Sequence, residues 1–243
     1  MKTAHARRSQ LVSTYGVGAL FPAQSESYMI LGIDSWPASC PEITEPRLAR
    51  VLGVSSFKAP SAGLKRDIPV IRFPETHYCP RCRKLGRLPD FGCPWNDNIC
   101  SKCKVELVPS RFVTCCPRGH IDDFPYFAWV HPPGYDRAAQ HELSLQARGR
   151  SSSLSDIVIS CSCGTPSTTL EGALSKDALD GLKCLGRRPW LGEDSQESCD
   201  ETPRGLQRGS SNVWFPVTRS AISIPPWSEG AHRLIDRHWL VLK

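Results

Sequence analysis

The sequence predicts a loop-rich α+β protein whose short strands and helices are organised around zinc-ribbon-like four-cysteine sites. Three observations carry that expectation: two cysteine hooks, twelve cysteines in all, and an excess of glycine (18) and proline (21) that breaks the chain into short elements. The hooks are Cys79-Pro-Arg-Cys82 and Cys100-Ser-Lys-Cys103, with 17 residues between them. Two thiols two residues apart on a tight turn bite one metal ion, and a second hook at this separation completes a tetrahedral shell. Zinc takes four thiolates at about 2.3 Å, so the metal, more than a large apolar core, would order this stretch.

With 243 residues the chain is long enough for one or two domains with a buried core. It divides into a small mixed α/β region (1–75), a zinc ribbon (76–118) and a second zinc-binding α+β region (119–243), the last read as truncated or continued in another chain. In the first region Tyr28 to Leu31 predicts a strand. Arg47 to Leu52 predicts a short helix, with Pro46 in its first turn and Gly53 stopping it. Tyr15-Gly-Val-Gly18 lacks a following capped helix or a Lys-Ser/Thr pair, so it reads as a turn and not as a phosphate cradle. Ile68 to Phe73 predicts a strand leading into the ribbon, where Cys93 is a spare or buried thiol. The stretch from Arg111 to His131 is dense in aromatics and reads as the edge of a core.

Beyond it, Gln146 to Ser155, with Ser151-Ser-Ser153, reads as an exposed loop. Asp156 to Ser160 predicts a strand delivering Cys161-Ser-Cys163-Gly164. Thr168 or Thr169 is placed to cap a helix running to about Leu182 and delivering Cys184, and a polar loop from Leu191 to Ser211 carries Cys199. Cys161, Cys163, Cys184 and Cys199 then form a second four-cysteine shell. A competing arrangement puts Cys116 and His120 in place of two of them. Val213 to Pro225 reads as one or two strands, and His232 to Lys243 begins a helical pattern where the chain stops, as in a fragment or half of a split protein.

Both shells use four protein ligands and leave no open position for water, so about two structural zinc ions and no catalytic metal are expected. His120 beside Asp122 and Asp123 is the best candidate for an enzyme, as a metal-dependent nuclease. The blander assignment gives His120 to zinc and the carboxylates to capping. No Gly-x-Ser-x-Gly, Walker or His-Glu-x-x-His motif occurs. The polar start lacks a signal-peptide apolar core and no run of eighteen apolar residues exists, which points to a reducing cytoplasm and no membrane span. The net charge is +6 with 21 Arg against 9 Lys, a balance suited to phosphates or to an acidic partner. Candidate nucleic-acid contacts are Arg81, Arg83, Lys84 and Arg87 on the ribbon, and Arg187, Arg188, Arg204 and Arg208 later. A purely protein-binding scaffold is the remaining alternative.

Three stretches together carry a resemblance: Arg8-Ser-Gln-Leu-Val-Ser-Thr-Tyr-Gly-Val-Gly18; Gly119-His-Ile-Asp-Asp-Phe-Pro125 with Trp129-Val-His131; and Leu206-Gln-Arg-Gly-Ser-Ser-Asn-Val-Trp-Phe-Pro216 with Ser220-Ala-Ile-Ser-Ile-Pro225. They resemble the DrmB family of the DISARM anti-phage defence islands. The resemblance spans almost the whole chain, although DrmB proteins are usually considerably longer and have a carboxy-terminal part absent from these 243 residues. It implies a non-catalytic subunit that pairs with an SNF2-like helicase, DrmA, and engages foreign DNA through that complex. The motor and ATP site would then belong to the partner. The missing carboxy-terminal part is a further candidate partner.

Overall fold

In the computed structural model, residues 5–61, 68–93, 97–131, 134–135, 141–149, 153–192, 195–222 and 230–242 are described, and within them the chain is α+β, with short strands joined by turns. The chain opens with α1 (Arg8–Ser13) and an antiparallel hairpin of β1 (Leu20–Ala23) and β2 (Glu26–Ile30), in which Leu20 faces Met29. β3 (Glu42–Ile43) leads into α2 (Pro46–Leu52). Pro46 opens this helix, Glu45 accepts the Arg47 N–H, and Gly53 ends it in the left-handed conformation at φ 67°. β4 (Phe57–Lys58) returns to β3, and β5 (Val70–Arg72) adds to β2 to complete a β1-β2-β5 sheet.

Tyr15–Gly18 is a seat for a tryptophan. Trp214 Nε1 donates to the Val17 carbonyl at 3.0 Å, and a Cβ on Gly16 would stand 3.2 Å from the Trp214 ring. The glycines here admit an indole, not a phosphate.

The next strands are β6 (Thr76–Tyr78), β7 (Lys84–Arg87), β8 (Val108–Pro109), β9 (Phe112–Cys115) and β10 (Ile121–Asp123), followed by α3 (Tyr126–Val130). After them come β11 (Leu143–Ala147), β12 (Ile157–Cys161), β13 (Thr168–Thr169), β14 (Arg204–Gln207) and the helix α4 (Gly230–Leu242). Six of these strands form one sheet in the order β13-β12-β11-β7-β6-β8, and three form a β10-β9-β14 sheet. Each sheet takes strands from both sides of residue 118. The main core lies between them, built from Leu85, Phe112, Phe124, Ile159, Leu170 and their neighbours. Phe124 meets Tyr126 and Trp129 edge to face at 5.0 and 5.7 Å, so the aromatic stretch is indeed core.

The structure corrects four expectations. Within the loop expected from Leu191 to Ser211, Arg204–Gln207 is a strand, β14, because it pairs with β9 along its whole length and buries Gly205. Of the loop expected from Gln146 to Ser155, Gln146 and Ala147 are instead the end of strand β11, held by pairing with β12, and exposure begins at Ala147 and continues through Arg148 and Gly149; Ser151 and Ser152 lie outside the described residues. No helix runs from Thr168 to Leu182. The pair β13 is followed by successive turns, with Gly172 and Gly181 at φ 77° and 85°, and with Ser175, Asp177 and Asp180 offering side chains that favour turns over helix. Val213–Ile222 forms no strand. Pro216 removes a ladder donor there, and Phe215, Val217 and Ile222 remain exposed; Pro225 lies outside the described residues.

Candidate metal centres

Both predicted hooks are tight turns, the first between β6 and β7 and the second closed by the isolated bridge of Ile99 with Glu106. Between β6 and β7 the Cys79 N–H donates to the Lys84 carbonyl at 3.0 Å and the Arg83 N–H to the Cys79 carbonyl at 2.8 Å. The second hook repeats the pattern: Cys100 N–H to the Val105 carbonyl at 2.9 Å and Lys104 N–H to the Cys100 carbonyl at 2.8 Å. Arg83 (φ 67°) and Lys104 (φ 55°) are the two described non-glycine residues with positive φ, each placed just after the second cysteine of its hook. Holding a side chain there costs on the order of 1–3 kcal/mol, which a bound metal readily offsets.

The sulfurs of Cys79, Cys82, Cys100 and Cys103 all lie within 4.8 Å of one another, a separation that fits one tetrahedral ion. Burial opposes ionisation of Cys79, yet the N–H groups of Cys82 and Arg81 bring its thiol down to about 7. Burial and the neighbouring thiols push Cys103 up to about 12. Cys93 stays out of the cluster, its thiol donating to the Ile99 carbonyl at 2.9 Å.

The expected second shell does not assemble. Cys184 and Cys199 join Cys116 and His120, whereas Cys161 and Cys163 join His131 and His141. The first of these two groups is the competing Cys116/His120 arrangement. Cys116 and His120 face each other across the β9–β10 turn, closed by Gly119 at φ 85°. His120 Nδ1 stands 3.3 Å from Cys116 Sγ and 3.6 Å from Cys184 Sγ, while Nε2 lies 2.8 Å from Glu197 Oε1. A carboxylate on the far nitrogen fixes the imidazole tautomer and leaves Nδ1 as the ligand atom. His120 chiefly, with Arg188 and Arg118, holds Glu197 below the usual carboxylate range against the opposing effect of burial. Gly186, at φ 68°, donates to Cys184 Sγ at 3.3 Å, and a Cβ there would collide with the Glu197 carbonyl.

The third group has the same anatomy. His131 Nδ1–H donates to the Phe127 carbonyl at 2.8 Å, one α3 turn back, so Nε2 faces Cys163 Sγ at 3.4 Å. Leu143 pairs with Cys161, and two residues further out the same register brings His141 to the level of Cys163; His141 Nδ1 is 3.2 Å from Cys161 Sγ. The Tyr135 hydroxyl is the main influence bringing Cys163 down to about 5; burial opposes it, and the Thr165 N–H and His131 assist. Sequence reasoning missed His131 and His141 as ligands, because they stand at no stereotyped spacing from Cys161-Ser-Cys163.

An open cleft of about 750 Å³ lies between the second and third groups, lined by His120, Asp122, Asp123, His141 and Arg187 among others. Its carboxylates are engaged. Asp122 pairs with Arg187 at 2.9 Å, and Asp123 accepts the N–H groups of Glu75 and Thr76 at 3.0 and 2.8 Å.

Of the candidate nucleic-acid residues, Arg187 is held by Glu75 and Asp122, Arg188 by Glu197, Lys84 by Glu142 and Arg87 by Glu75. Arg204 donates to the Leu174 carbonyl. Arg81 and Arg83 are exposed, and Arg208 is half-buried. Among the described residues, no helix is long and apolar enough to cross a membrane.

Residues 7–215 match the family model described as a domain of unknown function, DUF8724. The chain is also similar to the DISARM protein DrmB of Bacillus paralicheniformis (strain ATCC 9945a / NCIMB 11709 / CD-2), 34% identical over 221 residues. That alignment covers 87% of this chain and 38% of the relative, in its amino-terminal part, so the chain spans less than half the relative's length.

Proposed function

The chain belongs to the DrmB family and carries the DUF8724 domain, and from that premise we propose that it is a non-catalytic, zinc-stabilised subunit of an anti-phage defence complex. In this reading it works in the cytoplasm, binds a DrmA-type SNF2-like helicase that supplies the ATPase, and contributes positive surface to a DNA path. The observation that carries the reading is the set of three separate four-donor groups. Thiolate and imidazole donors suit zinc and not magnesium or calcium. Cys79, Cys82, Cys100 and Cys103 would hold one ion, Cys116, His120, Cys184 and Cys199 a second, and His131, His141, Cys161 and Cys163 a third. Four protein donors per ion complete the usual structural coordination of zinc and leave no place for a reacting water. His120, Asp122 and Asp123, the residues a nuclease would need, each have a structural partner, which favours the scaffold.

Salt separates a DNA-engaging subunit from a purely protein-binding one. Phosphate contacts release counterions, so log affinity for DNA should fall linearly with log salt when the chain is measured with its helicase. Affinity that does not change with salt would leave only the protein-binding role. Plasmid cleavage in Mg2+ or Mn2+ that disappears on joint Asp122→Ala and Asp123→Ala substitution would replace the scaffold with a nuclease.

A further inference from the structure

The β9–β14 ladder ends on two arginines. Gln207 stands opposite Phe112, so the next rung sets Arg208 opposite Arg111, and the Arg208 N–H donates to the Arg111 carbonyl at 2.9 Å. Like charges directly opposed across two strands destabilise the pair. Elsewhere the chain answers its partly buried arginines with acids: Arg72 meets Glu26, Arg187 meets Glu75 and Asp122, and Arg188 meets Glu197. Among the described residues, neither Arg111 nor Arg208 forms an ion pair with a carboxylate. Arg208 is half-buried, and its Nη1 is closed off yet donates to nothing. Two residues on, in the turn closed by the Ser210 N–H to the Gln207 carbonyl at 3.0 Å, Ser210 Oγ is also buried without a partner. Desolvation, and then the charge of Arg111, depress the Arg208 pKa. Native proteins seldom leave such donors unsatisfied, and here two of them sit in one turn beside an uncompensated double charge.

We propose that Arg111, Arg208 and Ser210 form a binding site for a phosphate-type oxyanion. Guanidinium forks match phosphate oxygens in pairs, a serine hydroxyl supplies a further donor, and a bound anion removes the repulsion between the opposed arginines. The same chemistry is offered by a nucleic-acid phosphodiester and by free phosphate. In the first case the site deepens the DNA-engaging role proposed above and rests on it; in the second it stands alone.

The test is calorimetric titration of the metal-loaded chain with inorganic phosphate, with ionic strength held constant by chloride. Saturable binding is expected, weakened about tenfold or more by Arg208→Gln and by Arg111→Gln, in keeping with the loss of a charged hydrogen bond. Should Arg208→Gln fail to fold, judged by metal content and circular dichroism, Arg111→Gln and Ser210→Ala carry the comparison. No phosphate binding by the wild type, or equal binding by the folded variants, overturns the site. A fluorescent oligothymidylate distinguishes the sources. Displacement by phosphate together with loss in Arg111→Gln assigns the site to a nucleic-acid backbone. Oligonucleotide binding unchanged in that variant while phosphate binding is lost assigns it to free phosphate. Phosphate binding with no oligonucleotide binding, alone or with the helicase, sinks the DNA-engaging role and leaves the anion site standing.

Discussion

Glu26 is 3% exposed in β2, and Arg72 Nε and Nη2 donate to its two oxygens at 3.0 and 3.1 Å, with His77 Nε2 3.8 Å away. Burial opposes its ionisation, but His77 and Arg72 prevail and hold the carboxyl below its ordinary 4.5. Because the folded value lies below the unfolded one, this contribution to stability is present above pH 4.5 and is lost as pH falls through the folded value. The stability advantage of wild type over Glu26→Gln should therefore be full at neutral pH and shrink below pH 4.5, as read by denaturant titration of both proteins at matched metal content, because protons displace metal from thiolate and imidazole ligands in the same range. Arg72→Ala strands a buried carboxylate and should cost about 3 kcal/mol in the same titration. Nothing in the sequence announces this pair, since 46 residues separate its members and only the β2–β5 register joins them.

At the scale of elements, what was legible was local. The hooks at Cys79–Cys82 and Cys100–Cys103 are short-range turns, and α2 carries its own start and stop in Pro46 and Gly53. What was not legible depends on pairing between distant strands. His141 is a ligand candidate because the β11–β12 register brings it level with Cys163, and the hook that delivers Cys184 is a turn, not the helix end its flanking sequence favours. Gly186 tests that turn. Gly186→Ala combines a strained positive φ with a collision against the Glu197 backbone, so it should lose one metal equivalent by elemental analysis and lower the melting temperature. Gly209→Ala meets no atom within 4 Å of the new Cβ and should change neither.

Across the whole molecule, three clusters sit along two sheets that share one core; the first draws on two neighbouring hooks, the third on residues 131–163, and the second joins segments as far apart as Cys116 and Cys199. With a divalent ion bound, the four-cysteine set carries −2, the set of three cysteines and one histidine −1, and the set of two cysteines and two histidines 0, which takes the formal charge from +6 to +3. Any DNA-facing surface is thus local, confined to arginines such as Arg81 and Arg83 that no acid neutralises among the described residues. The clusters are built from different residues and should lose metal separately. Cys163→Ala, at an exposed ligand, should remove one ion and leave two in a folded chain, whereas Cys82→Ala should unfold the ribbon between β6 and β8.

Native mass spectrometry of the purified chain, with elemental analysis to identify the metal, tests the central claim directly. Three zinc ions per chain are expected, with all twelve cysteines free of disulfides. Two ions or fewer in a folded chain, or cysteines of a cluster bonded to one another, would contradict it.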